Sequence, residues 1–206
     1  MKINTLGRSL VGVVALLLVP SMAMAGSATD WVKVTVGEMR NALAEQAPGE
    51  SLSREKLMEV SRFIDGRFDF SEMARLALGQ HWQQRSPEEQ QEFVGLFRNL
   101  LQRSHFLSMT NKAKSEQHFV GERTEGDRTI VQAMVTAEDS EVPIDYVLLR
   151  HNGAWKICDL GIDGMRLSEI YRAQFNRVIS TASYDELVRR MQIKLQEVAY
   201  EARAIR

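Results

Sequence analysis

The sequence predicts an α+β fold in which a twisted, antiparallel four-stranded sheet is wrapped by helices from both ends of the chain. Two observations predict it. Apolar residues recur at helical spacing over 30–110, change to strand spacing over 116–162, and return to helical spacing over 167–203. The gaps between the strand segments are short polar turns, which suit an antiparallel meander and leave no room for the crossover that parallel strands need.

The first residues stand outside that pattern. Lys2 and Arg8 flank a short apolar run, Leu10 to Val19, and Ala23-Met24-Ala25 before Gly26 has the small-x-small form of a cleavage site. The run is shorter than the roughly 20 residues that span a bilayer. Residues 1–25 are therefore expected to be a cleaved export signal, and 26–206 a single domain. No cysteine follows the cleavage site, so a lipoprotein is not expected. Without the signal the chain carries 24 basic and 27 acidic side chains, a net charge of −3, whereas a nucleic-acid binder needs a basic excess. Cys158 is the only cysteine, so no intramolecular disulfide forms and packing must supply stability. Its place in an apolar strand pattern marks a small buried hydrophobe.

Val32, Val36, Met39 and Leu43 define the first helix, which stops before the turn pair Pro48-Gly49. Ser53 opens a second, with Leu57, Val60 and Ile64 on one side. Asp69 is placed to cap a third over Phe70 to Leu78, with Glu72 reaching back and Gly79 ending it. The stripe of this helix is Phe70, Met73, Ala74, Ala77 and Leu78, yet Leu76 falls off it, as expected of a helix held between two surfaces. Ser86, Pro87 and Glu89 form the firmest helix start, a capping box with proline at the first helical position. Phe93, Leu96, Phe97, Leu100 and Leu101 continue that helix, extended by Phe106.

Gln117 to Glu122, Arg128 to Ala137, Val142 to Arg150 and Ala154 to Ile162 are the four strands. Their connections fall at Glu125-Gly126-Asp127, Glu138-Asp139-Ser140 and His151-Asn152-Gly153. In the third strand Ile144, Tyr146 and Leu148 share one face, and Asp145, Val147 and Leu149 the other. With both faces largely apolar, helices are expected on both sides of part of the sheet. Leu167, Ile170, Tyr171, Gln174, Phe175 and Val178 then share a helix face. Ser183 with Glu186 boxes the start of the last helix, whose face is Leu187, Met191, Leu195 and Val198.

Catalytic signatures are sparse. There is no glycine-rich phosphate loop and no nucleophile elbow, and His81, His105, His118 and His151 are too dispersed for metal spacing. Neither a metal nor a cofactor is expected. Asp145, Asp159 and Asp163 lie in or beside apolar strands, where a carboxylate can take on the raised pKa of a general base. Tyr146 neighbours Asp145 but points to the opposite face, so a second convergent group is lacking. An enzyme on this scaffold and a solid-cored adaptor for protein partners stay as alternatives.

Two segments carry a resemblance. "FDFSEMARLALGQHW" followed by "SPEEQQEFVGLFRNLL", and "VPIDYVLL" followed by "WKICDLGIDGMRLSEIYRAQF", resemble the MlaC family, also called the toluene-tolerance auxiliary proteins. The most specific elements are Phe68-Asp69-Phe70, Leu78-Gly79, Trp82, Trp155-Lys156 with Asp159, and Tyr171-Arg172 with Gln174-Phe175. Arg166 departs from the family pattern, standing where a serine often caps the last-but-one helix. The resemblance implies a soluble periplasmic carrier with a nuclear-transport-factor-like sheet. Such a carrier moves phospholipids between an outer-membrane lipoprotein–porin complex and an inner-membrane ABC transporter bearing an MCE domain, and so maintains outer-membrane lipid asymmetry. Lipid tails would enter a cleft between sheet and helices. On that reading Phe70, Met73, Ala74 and Leu78 line the cleft, faced by Phe97, Leu101, Met134, Tyr146, Leu148, Ile157 and Tyr171. Arg75 and Arg172 are the candidate partners of the headgroup.

Overall fold

The structure, a computed structural model, describes residues 27–44, 53–103, 116–137 and 140–204. The expected export signal, the Pro48-Gly49 turn, Phe106 and most of the Glu138-Asp139-Ser140 connection lie outside the described residues. In chain order the helices are α1 (Ala28–Ala44), α2 (Arg54–Arg67), α3 (Phe70–Leu78), a 3-10 segment (Gly79–Gln84) and α4 (Pro87–Leu101). The strands β1 (Gln117–Glu125), β2 (Arg128–Ala137), β3 (Ser140–His151), β4 (Ala154–Ile162) and β5 (Met165–Arg166) follow, then α5 (Leu167–Thr181) and α6 (Tyr184–Ala204).

The sheet is antiparallel throughout, in the order β1-β2-β3-β4-β5. Four strands are legible from alternation; the fifth is made by a turn. Asp163 and Gly164 both have positive φ, 51° and 76°, the pattern of a type I′ hairpin, and they fold Met165-Arg166 back onto Gly161-Ile162. Asn152 and Gly153 make the same kind of turn between β3 and β4.

Helix starts follow the capping residues. Ser53 Oγ accepts from Lys56 N, and Asp69 Oδ1 accepts from Glu72 N at 2.9 Å. Ser86 makes the full reciprocal box with Glu89. The Glu72 and Glu186 side chains do not reach back as their spacing predicts, because arginines compete for them. Glu72 accepts from Arg75 and Arg128, and Glu186 from Arg189 and Arg190. The Asp69 backbone N–H donates instead to Ile157 O at 2.8 Å, which docks the α2–α3 junction on the edge of β4.

One apolar cluster draws residues from all six helices and from β2, β3 and β4. Alternate residues of the central strands face it: Val131 and Ala133 from β2, and Ile144, Tyr146 and Leu148 from β3. The other face carries a small cluster, Ile130, Val147 and Cys158 with Leu149 against it, all from strands. Ile130, Val147 and Cys158 are at most 1% exposed, and α3 reaches this side through Glu72, which accepts from Arg128 at 2.9 Å.

The register breaks once in β4: Ile157 pairs with Leu148 and Asp159 with Val147, leaving Cys158 as the extra residue of a bulge. The bulge returns Leu160 to the helix-covered face and buries Asp159. That carboxylate accepts from Leu160 N at 2.9 Å, from Ser168 N at 3.1 Å and from Ser168 Oγ. At the N-cap position of α5, Arg166 makes no side-chain cap bond. Asp159 therefore caps α5 from within the sheet.

Asp159→Ala strips three donors of their acceptor and is expected to cost roughly 3 kcal/mol of stability. Asp163→Asn, at a turn position that asparagine also adopts, should change stability by less than about 0.5 kcal/mol. Urea denaturation of the two variants checks the contrast.

Candidate functional site

α3 lies between two surfaces as expected, packing on α4 and α5 on one side and on β4 on the other. Phe70, Met73, Ala74, Ala77 and Leu78 are all buried. Off the stripe, Leu76 is half-buried, and its carbonyl accepts from Arg172 Nε of α5 at 2.8 Å.

Ten of the eleven residues expected to line a tail cleft fall in the same apolar cluster. They are Phe70, Met73, Ala74 and Leu78 from α3, Phe97 and Leu101 from α4, Tyr146 and Leu148 from β3, Ile157 from β4 and Tyr171 from α5. Met134 is the exception. β2 pairs with β3 without a register break, so Met134 shares its face with Ile130 and Gln132 and turns away from the helices. Val131, Ala133 and Val135 hold the inward positions of that strand.

Aromatic rings join the helices. Phe97 meets Tyr171 edge-on with centroids 5.1 Å apart and Phe175 at 5.7 Å, while Phe93 meets Phe175 at 5.7 Å and Tyr184 at 6.3 Å. Phe93, Phe175 and Tyr184 are not among the residues expected to line the cleft. Helical spacing identifies each apolar face separately and does not reveal that α4, α5 and α6 bring theirs together.

Burial governs the few titratable groups of this core. It pushes the Tyr146 phenol up to about 12, and the Tyr146 hydroxyl donates to Gln117 Oε1 at 3.1 Å. It also pushes Tyr184 and the Cys158 thiol up to about 12, and raises Tyr171. The Cys158 thiol donates to Val147 O at 3.4 Å.

The two headgroup candidates differ in their commitments. Arg75 is forked onto Glu72 at 2.6 and 2.7 Å, a hydrogen-bonded pairing that raises its pKa, and Arg128 shares the same carboxylate. Arg172 forms no ion pair among the described residues and lines a groove between the 3-10 segment and α5.

None of the three aspartates reaches the apolar cluster. Asp145 lies on the second face, accepting from Arg123 Nη2 and Gln132 Nε2 at 3.2 Å each, with Arg166 at 3.8 Å. Asp159 is the cap of α5, and Asp163 forms the β4–β5 turn, its N–H donating to Pro143 O at 3.0 Å. Among the described residues no three His, Cys, Asp or Glu side chains gather as a metal site, and no helix is long and apolar enough to cross a membrane.

A family model described as MlaC protein matches residues 33–193. The chain belongs to the MlaC family. It is also similar in structure to a phospholipid-binding protein from Ralstonia solanacearum, solved in complex with a phospholipid. The two are 26% identical with a TM-score of 0.75, over 84% of this chain and 99% of the other. No curated protein gives a match.

For this MlaC-family chain the raised groups set an alkaline limit. Folding favours the neutral forms of Tyr146, Tyr184 and Cys158, whose ordinary values are 10.0, 10.0 and 9.0. Their contribution is complete below those values and is lost as pH rises through the folded ones. Denaturation midpoints should hold steady up to about pH 9 and fall between about pH 9 and 12. Circular dichroism across that range checks the slope.

Proposed function

We propose that this chain is a periplasmic phospholipid carrier, a single domain over 26–206 that holds acyl tails between the inner face of the sheet and helices α3, α4 and α5. It would shuttle lipids between an outer-membrane lipoprotein–porin complex and an inner-membrane MCE-domain ABC transporter, maintaining outer-membrane lipid asymmetry. The observation that carries this reading is the likeness, over nearly the whole of its length, to a protein solved with a phospholipid bound. The continuous apolar cluster between sheet and helices supports it from within this chain.

The physics sets what such a carrier must do. At about 0.8 kcal/mol per buried methylene, a tail of about sixteen carbons loses roughly 12 kcal/mol on entering water. A carrier must offset nearly all of that without exceeding it, or the cargo is never released. Met73 and Met191 supply flexible thioether side chains that adapt to tails of different shape, while the ring cluster of α4, α5 and α6 supplies a stiff wall. The lining side chains lie in one apolar cluster between sheet and helices, the place where tails would lie.

Native mass spectrometry of protein purified from the periplasm tests the reading. A species heavier by one phospholipid, retained through washing, is expected. Ala74→Phe adds bulk where tails would lie and should reduce the lipid-bound fraction several-fold while the folded protein persists. An empty, well-folded wild-type protein would favour the adaptor reading instead.

A further inference from the structure

α1 is bonded to the sheet, whereas α2 is bonded to α4. From α1, Thr29 donates through N and Oγ1 to Glu122 of β1, at 2.9 and 2.7 Å, and Lys33 Nζ stands 5.7 Å from the centroid of the Phe119 ring. From α2, Asp65 accepts from Arg98 Nε at 2.6 Å and from Gln102 Nε2 at 3.0 Å, and Ser61 Oγ donates to Gln102 at 2.8 Å. The seam between these two helices borders the apolar cluster. α1 gives it Ala28 and Val32, and α2 gives it Val60 and Ile64, each at most 1% exposed.

Among the described residues, every hydrogen bond, ion pair and cation–π contact across that seam involves Arg67, the last residue of α2. Its Nη2 donates to Glu38 Oε2 at 2.5 Å, and its guanidinium carbon stands 5.7 Å from the Trp31 ring centroid and 5.2 Å from that of Phe63. Arg67 and Glu38 are 31% and 46% exposed, so salt screens the pair and it contributes little. The end of α2 itself is fixed, since Asp69 N–H donates to Ile157 O and Lys156 donates to Gly66 O. Both helices are thus held elsewhere by directional bonds. Between them the closure is apolar contact, which has no preferred direction, and one water-exposed cation.

We propose that Arg67 is the clasp of a gate between α1 and α2, which opens onto the apolar cluster while α1 stays on the sheet, and through which acyl tails pass. The passage of tails rests on the carrier reading, and the test separates the two. Val32→Cys places a thiol at the seam, and Cys158, fully buried in the cluster on the other face of the sheet, is the reference in the same molecule. Labelling by N-ethylmaleimide, read by peptide mass spectrometry, should reach position 32 sooner than Cys158. Arg67→Met keeps the apolar stem and removes the charge; it should speed labelling at position 32 by about tenfold, the combined scale of an exposed ion pair and a cation–π contact, with Cys158 unchanged. Glu38→Gln, which leaves the ring contacts, should give a smaller rise. Molar sodium chloride should speed labelling with Arg67 present and not in Arg67→Met. Equal rates at the two thiols, or a rise that Cys158 shares, mean global unfolding and overturn the gate. No change at position 32 in either variant overturns the clasp. Phospholipid should load several-fold faster into Arg67→Met from vesicles of phosphatidylethanolamine and phosphatidylglycerol, and an unchanged rate overturns the passage of tails through the seam. If labelling follows the prediction and no lipid loads, the carrier reading fails and the gate stands.

Discussion

The contact between the inner face of the sheet and the helices is apolar across its centre, and hydrophobic contact has no preferred direction. The directional bonds that fix helices on the sheet lie at its margins. Asp69 N–H holds the α2–α3 junction to Ile157 O, Glu72 holds Arg128, and Asp159 holds the start of α5. Lys156 donates to Gly66 O at the end of α2, and Thr29 donates to Glu122 from the start of α1. Such a molecule can exchange one set of apolar contacts for another at its centre while its edges stay registered. A core locked by buried polar pairs would leave those groups unsatisfied each time it opened.

The second face of the sheet adds a polar row beside its small apolar cluster. Gln132, Asp145, Gly161 and Arg166 occupy one register row across β2 to β5, tied by the Asp145 carboxylate. Gly161 is required there, since a Cβ would stand 2.9 Å from that of Asp145. This polar row sets the register of the strands without using any inward position. The apolar side chains of the inner face are thereby left to the helices.

Much of this was legible because the local signals were strong. The bounds of β2, β4 and α3 match their hydrophobic patterns, and the Ser86 box falls where its spacing places it. What was not legible depends on partners distant in sequence. Glu72 and Glu186 read as box members until arginines compete for them, and Asp159 reads as a candidate base until the bulge at Cys158 turns it onto Ser168. Met134 fits an apolar strand on either face, and only the pairing of β2 with β3 decides which. For the candidate site, apolar spacing identified most of the inner lining. It missed the meeting of Phe93, Phe175 and Tyr184, because three helix faces converge only in the fold.

Photolabelling by a phospholipid with a diazirine near the end of one acyl chain, followed by peptide mapping, examines carriage between sheet and helices most directly. Tails held there will label Met73, Phe97 and Leu148 or their immediate neighbours. Label confined to exposed apolar side chains such as Val120 and Met165, 63% and 58% accessible, would contradict it.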